Sequence, residues 1–319
     1  MQGAHISLVP QIQRAVAARG VFDVLLATSM TNLPALLGQA RRELSSARVV
    51  LYMHENQLTF PLSPNDEPDL TYAMINWTSM VAADLIVFNS RFHHDAWFDE
   101  LPRFLGRFPD HRHASLVESV RERSVVRPVG VDLRALPARH RATGTRPLVL
   151  WNQRWEYDKG PIEFAAAISQ LLDEGLEFDV ALAGQRPVDA PAELVALASA
   201  LGDRLAHDGY APPADYRSLL CRSDIVVSTA RHEFFGVAVT EAVAAGAFPV
   251  LPNRLVYPER IPREHHATCL YEDGELVELL RWAVTHPNET RAVAAELVPT
   301  MMECDWSVQA PVLDHDLAS

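Results

Sequence analysis

The sequence predicts an α/β protein made of two doubly wound, Rossmann-like domains facing each other across a cleft. Three observations carry that prediction. Short β-branched or apolar runs alternate with segments of helical periodicity along the chain, the pattern of a parallel sheet covered on both faces. A polar stretch rich in Arg, Pro, Thr and Gly interrupts the alternation at Leu136–Pro147. And 319 residues are enough to bury two cores.

In chain order, strands are expected at Val21–Ala27, Ala47–Met53, Leu85–Asn89, Ser124–Val129, Leu148–Asn152, Phe178–Ala183, Ile225–Ser228 and Phe248–Leu251. Each is a short run dominated by Val, Ile, Leu or aromatic residues. Helical periodicity marks Gln11–Ala18, Leu70–Ala83, Gly160–Glu174, Ala192–Leu201 and Val237–Ala245, where apolar residues return every three or four positions. The polar break gives a first domain of residues 1–143 and a second of residues 144–319. No repeat of fixed period and no low-complexity tract interrupts either, and Pro61–Pro68 reads as a polar, Pro-rich loop able to fold over the cleft.

Composition is that of a soluble globular chain, 48% hydrophobic and 22% charged. No apolar run approaches the ~20 residues of a membrane-spanning helix, and the first twenty residues lack the basic head and apolar stretch of a secretory signal. Cys221, Cys269 and Cys304 are odd in number and have no CxxC spacing, which argues against a disulfide framework or a structural zinc site and fits a reducing cytoplasm. The net charge of −13 argues against a polyanionic partner, but its distribution does not. From Arg91 to Arg146 eleven arginines face seven acids, a local excess of +4 with five histidines beside it. That segment reads either as a solvated arginine-rich surface or as a contact for a polyanion. Trp77, Trp97, Phe92 and Phe98 beside it are either core or stacking platforms for nucleobases.

The chemistry-bearing runs lie in the second half. Of 28 basic residues, Lys159 is the sole lysine, in Arg154-Trp155-Glu156-Tyr157-Asp158-Lys159-Gly160 directly after a strand. A chain so biased toward Arg should keep a lysine where a slender stem with a compact ammonium is needed. Arg154 and Lys159 in the loop and helix start after that strand suit a diphosphate, whose growing charge they would neutralise as a bond to it breaks; a plain surface loop would read the same way. Downstream, Glu233-Phe234-Phe235-Gly236 is followed by Glu241, eight positions after Glu233. The amides of Phe235, Gly236 and Val237 at a helix start would receive phosphate oxygens. Glu241 would accept both ribose hydroxyls and Glu233 the hydroxyls of a transferred sugar. The alternative is that both acids cap or solvate the helix.

These two runs, with Arg127-Pro128-Val129-Gly130-Val131-Asp132 closing the first domain, resemble retaining glycosyltransferases of the GT-B type. The resemblance implies a nucleotide-sugar donor held by the second domain, an acceptor bound mainly by the first, and no required metal or other cofactor. It gives Arg154 and Lys159 the departing diphosphate, Glu241 the ribose and Glu233 the donor sugar.

In the first half, Leu51-Tyr52-Met53-His54-Glu55-Asn56-Gln57, then Asp84-Leu85-Ile86-Val87-Phe88-Asn89-Ser90 and Phe108-Pro109-Asp110-His111-Arg112, resemble the tRNA-queuosine α-mannosyltransferase branch. This implies GDP-mannose as donor and queuosine in a tRNA as acceptor. It places Glu55, Asn56, Gln57, Asp110, His111 and Arg112 on the acceptor side and makes His54 a catalytic group that hydrogen-bonds the reacting sugar and steadies positive charge at its anomeric carbon. His54-Glu55 is not a zinc motif, because position 58 is Leu, and His93-His94 falls on an expected surface helix, so no metal centre is expected. By the same resemblance the chain should lack the opening strand and Gly-rich turn of such folds, beginning instead with a helical pattern before a first strand at Val21. Two other functions remain open: the same donor chemistry on a lipid, polysaccharide or small-molecule acceptor, and a non-catalytic nucleotide-sugar or RNA-binding protein.

Overall fold

A computed structural model describes residues 3–60, 69–110, 112–137 and 146–318. The chain forms two compact units: residues 1–128 with 311–319, and residues 129–310.

Unit 1 is a parallel sheet of β1 (Val24–Thr28), β2 (Arg48–Met53), β3 (Leu85–Phe88) and β4 (Ser124–Val126), paired in that order. Helices α1 (Ala4–Arg19), α2 (Leu33–Gln39), α3 (Leu70–Ala82), α4 (Arg91–Leu105) and α5 (Ala114–Glu122) connect them. The period of two along β2 sorts its side chains. Val49, Leu51 and Met53 join α2 to α5 in the main core, with Trp77, Trp97, Phe98 and Phe104, while Val50 and Tyr52 pack on the opposite face with Leu85, Val87 and Leu317. Trp77, Trp97 and Phe98 are at most 1% exposed, so they are core and not platforms for bases; burying each such ring contributes roughly 1.5–3 kcal/mol. His93 and His94, expected on a surface, are buried as well, because α4 turns that side toward Phe88, whose ring each histidine meets edge-on.

Unit 2 is a six-stranded parallel sheet in the order β10-β9-β8-β5-β6-β7, comprising β5 (Leu148–Trp151), β6 (Asp179–Ala183), β7 (Leu205–Gly209), β8 (Ile225–Val227), β9 (Phe248–Pro252) and β10 (Leu270–Tyr271). The helices that follow these strands include α6 (Pro161–Asp173), α7 (Ala192–Leu201), α8 (Pro213–Arg222) and α9 (Val237–Ala244). From β5 the chain builds outward through β6 and β7, then returns to lay β8, β9 and β10 on the other side. This is the doubly wound order, and its switch point lies between β5 and β8.

The division into units falls at Pro128/Val129, earlier than the polar break suggests; the expected boundary at 143/144 lies outside the described residues. The reason is local. The buried Asp305 carboxylate accepts the amides of Leu133 and Arg134, each at 3.1 Å, and Val131 donates its amide to the Cys304 carbonyl at 2.8 Å. Gly130 lies so close to Trp306 that an added Cβ would sit 2.3 Å from the ring. Residues 129–137 are therefore tied to unit 2, and the Arg127–Asp132 run closes unit 1 only as far as Pro128.

Candidate active site

The loops leaving the carboxyl ends of β5 and β8 carry the expected donor residues, and the switch point brings several of them together. Lys159 is 9% exposed. Its Nζ lies 3.0 Å from the His232 carbonyl oxygen, 3.2 Å from Asp158 Oδ2 and 3.4 Å from Glu233 Oε2. The His232 carbonyl and Glu233 accept hydrogen bonds from the ammonium, Asp158 adds a second ion pair, and the two carboxylates offset a desolvation cost of several kcal/mol. Gly160 sets the approach: with φ at 63°, its Cα faces Thr229 so closely that a Cβ would lie 2.2 Å from the Thr229 carbonyl oxygen. Thr229 Oγ1 donates to the Lys159 carbonyl at 2.9 Å, and the Arg231 amide donates to the Asp158 carbonyl at 2.7 Å. Arg154, by contrast, is exposed and ion-paired with Glu156 at 3.0 Å.

The start of α9 departs from expectation. The amides of Phe235 and Gly236 do not stand open for phosphate. Together with that of Phe234 they donate to Glu233 Oε1, at 3.2, 3.0 and 3.1 Å. Gly236, at φ 84°, lets the backbone curl around the carboxylate, which satisfies helix-terminal donors as a capping group does. Val237, the first residue of α9, is partly exposed. One oxygen of Glu233 therefore fills the amide nest while the other touches Lys159.

Glu241 is half-buried one turn into α9. It accepts from Tyr216 Oη at 3.0 Å, and Asn152 Nδ2 in turn donates to Tyr216 Oη at 3.0 Å and to the Ala238 carbonyl at 2.8 Å. Burial raises its pKa above the usual glutamate value, against the Tyr216 hydrogen bond and the nearby Arg217 charge. His232, beside Lys159, is buried against Phe234 with ring centroids 4.5 Å apart. Desolvation, with the Lys159 charge, pushes its pKa down to about 4, so the ring is neutral at pH 7. Asp158, Asn152 and Tyr216 were not singled out by the sequence. Asp158 and Asn152 adjoin the motif and had that much signal; Tyr216 had none.

In unit 1, His54 follows β2 with an exposed ring, tilted against Tyr52 at 4.6 Å, yet enough water is excluded on its inner side to lower its pKa. Asn89 Nδ2 donates to the His54 carbonyl at 2.8 Å, and Asn89 Oδ1 meets His93 Nδ1 at 2.8 Å. Asn56 is fully buried and shapes the following turn: its Oδ1 accepts from the amides of Leu58 and Thr59, both at 3.0 Å. Gln57 donates through Nε2 to Glu55 at 3.1 Å. Asp110 and Arg112 are exposed between α4 and α5; His111 and the Pro61–Pro68 loop lie outside the described residues. The arginine-rich segment is largely committed internally. Arg121 lies 4.8 Å over the Phe98 ring, Arg123 donates to the Met80 and Val81 carbonyls, Arg127 pairs with Asp316 at 2.5 Å, and Arg146 with Asp179 at 2.9 Å. Among the described residues, no helix is long and apolar enough to cross a membrane and no cluster of three or more His, Cys, Asp or Glu could hold a metal ion.

Two family models match the chain: "tRNA-queuosine alpha-mannosyltransferase N-terminal" over residues 1–131 and "Glycosyl transferases group 1" over residues 134–296. The tRNA-queuosine alpha-mannosyltransferase of Drosophila melanogaster is 33% identical over 253 residues, covering 76% of this chain and 67% of that protein. A GDP-mannose-dependent alpha-(1-6)-phosphatidylinositol dimannoside mannosyltransferase of Mycobacterium tuberculosis is 26% identical over 182 residues, 53% of this chain and 45% of that protein. Among solved structures, sucrose-phosphate synthase from Thermosynechococcus elongatus superimposes with a TM-score of 0.72 at 16% identity, covering 98% of this chain and 78% of that one. Anabaena HepE in complex with UDP and glucose gives 0.71 at 18%, covering 97% and 81%. At such identities these structures show the fold alone, and it is the expected GT-B fold. With both halves matched by glycosyltransferase models and a third of the aligned residues shared with the Drosophila protein, the chain belongs to the tRNA-queuosine alpha-mannosyltransferase family.

Proposed function

We propose that this protein transfers mannose from GDP-mannose to queuosine in tRNA, with retention at the anomeric carbon. The Drosophila relative is named for that reaction, and GDP-mannose appears in the names of the mycobacterial and a Xanthomonas oryzae mannosyltransferase. The observation that carries the reading is the grouping of Lys159, Glu233 and Glu241 at the switch point of unit 2, where such sheets bind nucleotides. The acceptor hydroxyl attacks the anomeric carbon on the face from which the diphosphate departs. The carbon–oxygen bond to the β-phosphate breaks, and the hydroxyl proton passes to a diphosphate oxygen. Lys159 and Arg154 meet the charge growing on GDP, His54 hydrogen-bonds a sugar hydroxyl and steadies the electron-poor carbon, and Glu241 accepts the ribose hydroxyls. No metal is invoked.

Glu233 acts as a placeholder. Its carboxylate occupies both the amides and the ammonium that a diphosphate needs, and its bond to Lys159 is the longest of the three at 3.4 Å. An arriving donor exchanges for it, which frees Glu233 to take the mannose hydroxyls. In this reading Glu55, Gln57, Asp110 and Arg112 face the acceptor, while the buried Asn56 holds the turn that carries Gln57; His111 belongs to the same expected set but lies outside the described residues. A reducing compartment, the cytoplasm, suits the three buried, free cysteines. The test is GDP release from GDP-mannose with matched tRNAs that contain or lack queuosine. Release only with the former is expected; equal release with both would sink the proposed acceptor.

A further inference from the structure

Beside the candidate donor residues, unit 2 carries a concavity of about 340 Å³, framed by Trp155, Tyr157, Ile162, Pro187, Asp189 and Arg231. That volume is within the range of small-ligand sites. It opens among the loops after β5, β6 and β8, and the chain links it to the donor residues at two points. Tyr157 stands two positions before Lys159, and Arg231 immediately precedes His232 and Glu233.

Its chemistry is specific. Trp155 is buried and Tyr157 is 40% exposed. The Arg231 guanidinium lies 4.8 Å from the Tyr157 ring centroid, in cation–π contact. Whereas Arg154 and Arg186 are paired with Glu156 and Asp208, Arg231 has no carboxylate partner among the described residues, so its charge stays available. The exposed side chain of Ile162 adds apolar surface to the lining. An aromatic ring with an unpaired guanidinium stacked on it, walled by prolines, is how proteins hold a splayed-out base of single-stranded RNA. Glu156 and Asp189 beside it disfavour a bare phosphate but accept from the amino and imino groups on a base edge. The aromatics near the arginine-rich segment cannot serve this purpose, since Trp77, Trp97 and Phe98 are core.

Resting on the proposed tRNA acceptor, we infer that this pocket holds an unstacked nucleobase of the acceptor RNA against the platform formed by Tyr157 and Arg231, fixing the RNA beside the proposed donor site. The base stacks on the aromatic–guanidinium platform.

The test compares wild type with Tyr157→Ala, Tyr157→Phe and Arg231→Gln, the last keeping an exposed polar side chain so that folding is preserved. Losing one stacked base should raise the KM for queuosine-containing tRNA roughly tenfold, with kcat and the KM for GDP-mannose within about twofold of wild type; Tyr157→Phe should restore tRNA KM. In parallel, an anticodon stem-loop RNA carrying 2-aminopurine in its loop should show fluorescence quenching with wild type and Tyr157→Phe, lost in Tyr157→Ala. Unchanged tRNA KM in Tyr157→Ala and Arg231→Gln, with transfer intact, overturns the inference and leaves the proposed function standing. Tyr157-dependent quenching without any mannose transfer supports the pocket while removing the proposed reaction.

Discussion

Lys159 carries a buried ammonium that the fold pairs with two carboxylates and that the proposed reaction uses as a cation. It neutralises Asp158 and Glu233, and in the proposed reaction it meets the leaving diphosphate. Lys159→Ala should lower kcat by about 10²–10³, the loss of one preorganised donor, measured by single-turnover transfer on protein confirmed folded; turnover within twofold of wild type contradicts the role. The residue was legible because a lone lysine in an arginine-rich chain needs a reason. Glu233 and Glu241 were legible through their spacing, but the occupancy of the amides by Glu233 was not, because a carboxylate and a phosphate oxygen satisfy the same donors and spacing cannot say which is there. His232 gives a prediction for stability. Its pKa is about 4 in the fold against an ordinary 6.5, so the unfolded chain binds its proton first as pH falls. Stability conferred by the neutral ring is complete above pH 6.5, declines between 6.5 and 4, and reaches a loss of about 3 kcal/mol. Urea unfolding at several pH values should show this slope in wild type and a flatter one in His232→Gln; identical slopes would dismiss His232 as its source.

At the scale of elements, the strands that read clearly were those buried on both faces, such as β2, β5 and β9, whose continuous Val, Leu and Phe content reflects covering helices. β7 was missed because Leu-Ala-His-Asp-Gly is an edge strand, only partly buried and paired on one side, so little apolar character is demanded of it. β10, two residues long, leaves no periodicity to read. The compact units divide ahead of the polar stretch that composition marks, because residues 129–137 are attached to unit 2 through Asp305. The close approach of the loops after β5 and β6 is enforced at Gly184, where an added Cβ would meet the Gln153 carbonyl oxygen at 1.8 Å. Gly184→Ala must shift one of these backbones, at a cost of about 1–3 kcal/mol or more. Thermal unfolding should report a drop of several degrees, and an unchanged midpoint would mean that the loops are less constrained than the geometry implies.

At the scale of the molecule, the sequence conveyed two parallel-sheet units and candidate donor residues clustered in the second. It conveyed less about the acceptor, because the arginines that made one segment look basic serve Phe98, Asp316, Asp179 and helix-terminal carbonyls within the fold. Tyr157 and Arg231, 74 positions apart in the sequence, become neighbours only through the order of the sheet. A tRNA acceptor makes binding a matter of phosphate contacts, so affinity for it should fall steeply between 50 and 200 mM salt, on the order of tenfold or more, as filter binding would show; salt-independent binding would point to a small or neutral acceptor. The measurement that bears most directly on the central claim is mass spectrometry of nucleosides from queuosine-containing tRNA after incubation with GDP-mannose and this protein. A hexose increment on queuosine, absent in the Lys159→Ala variant, is the predicted result; unmodified queuosine alongside bound, unconsumed GDP-mannose would contradict it.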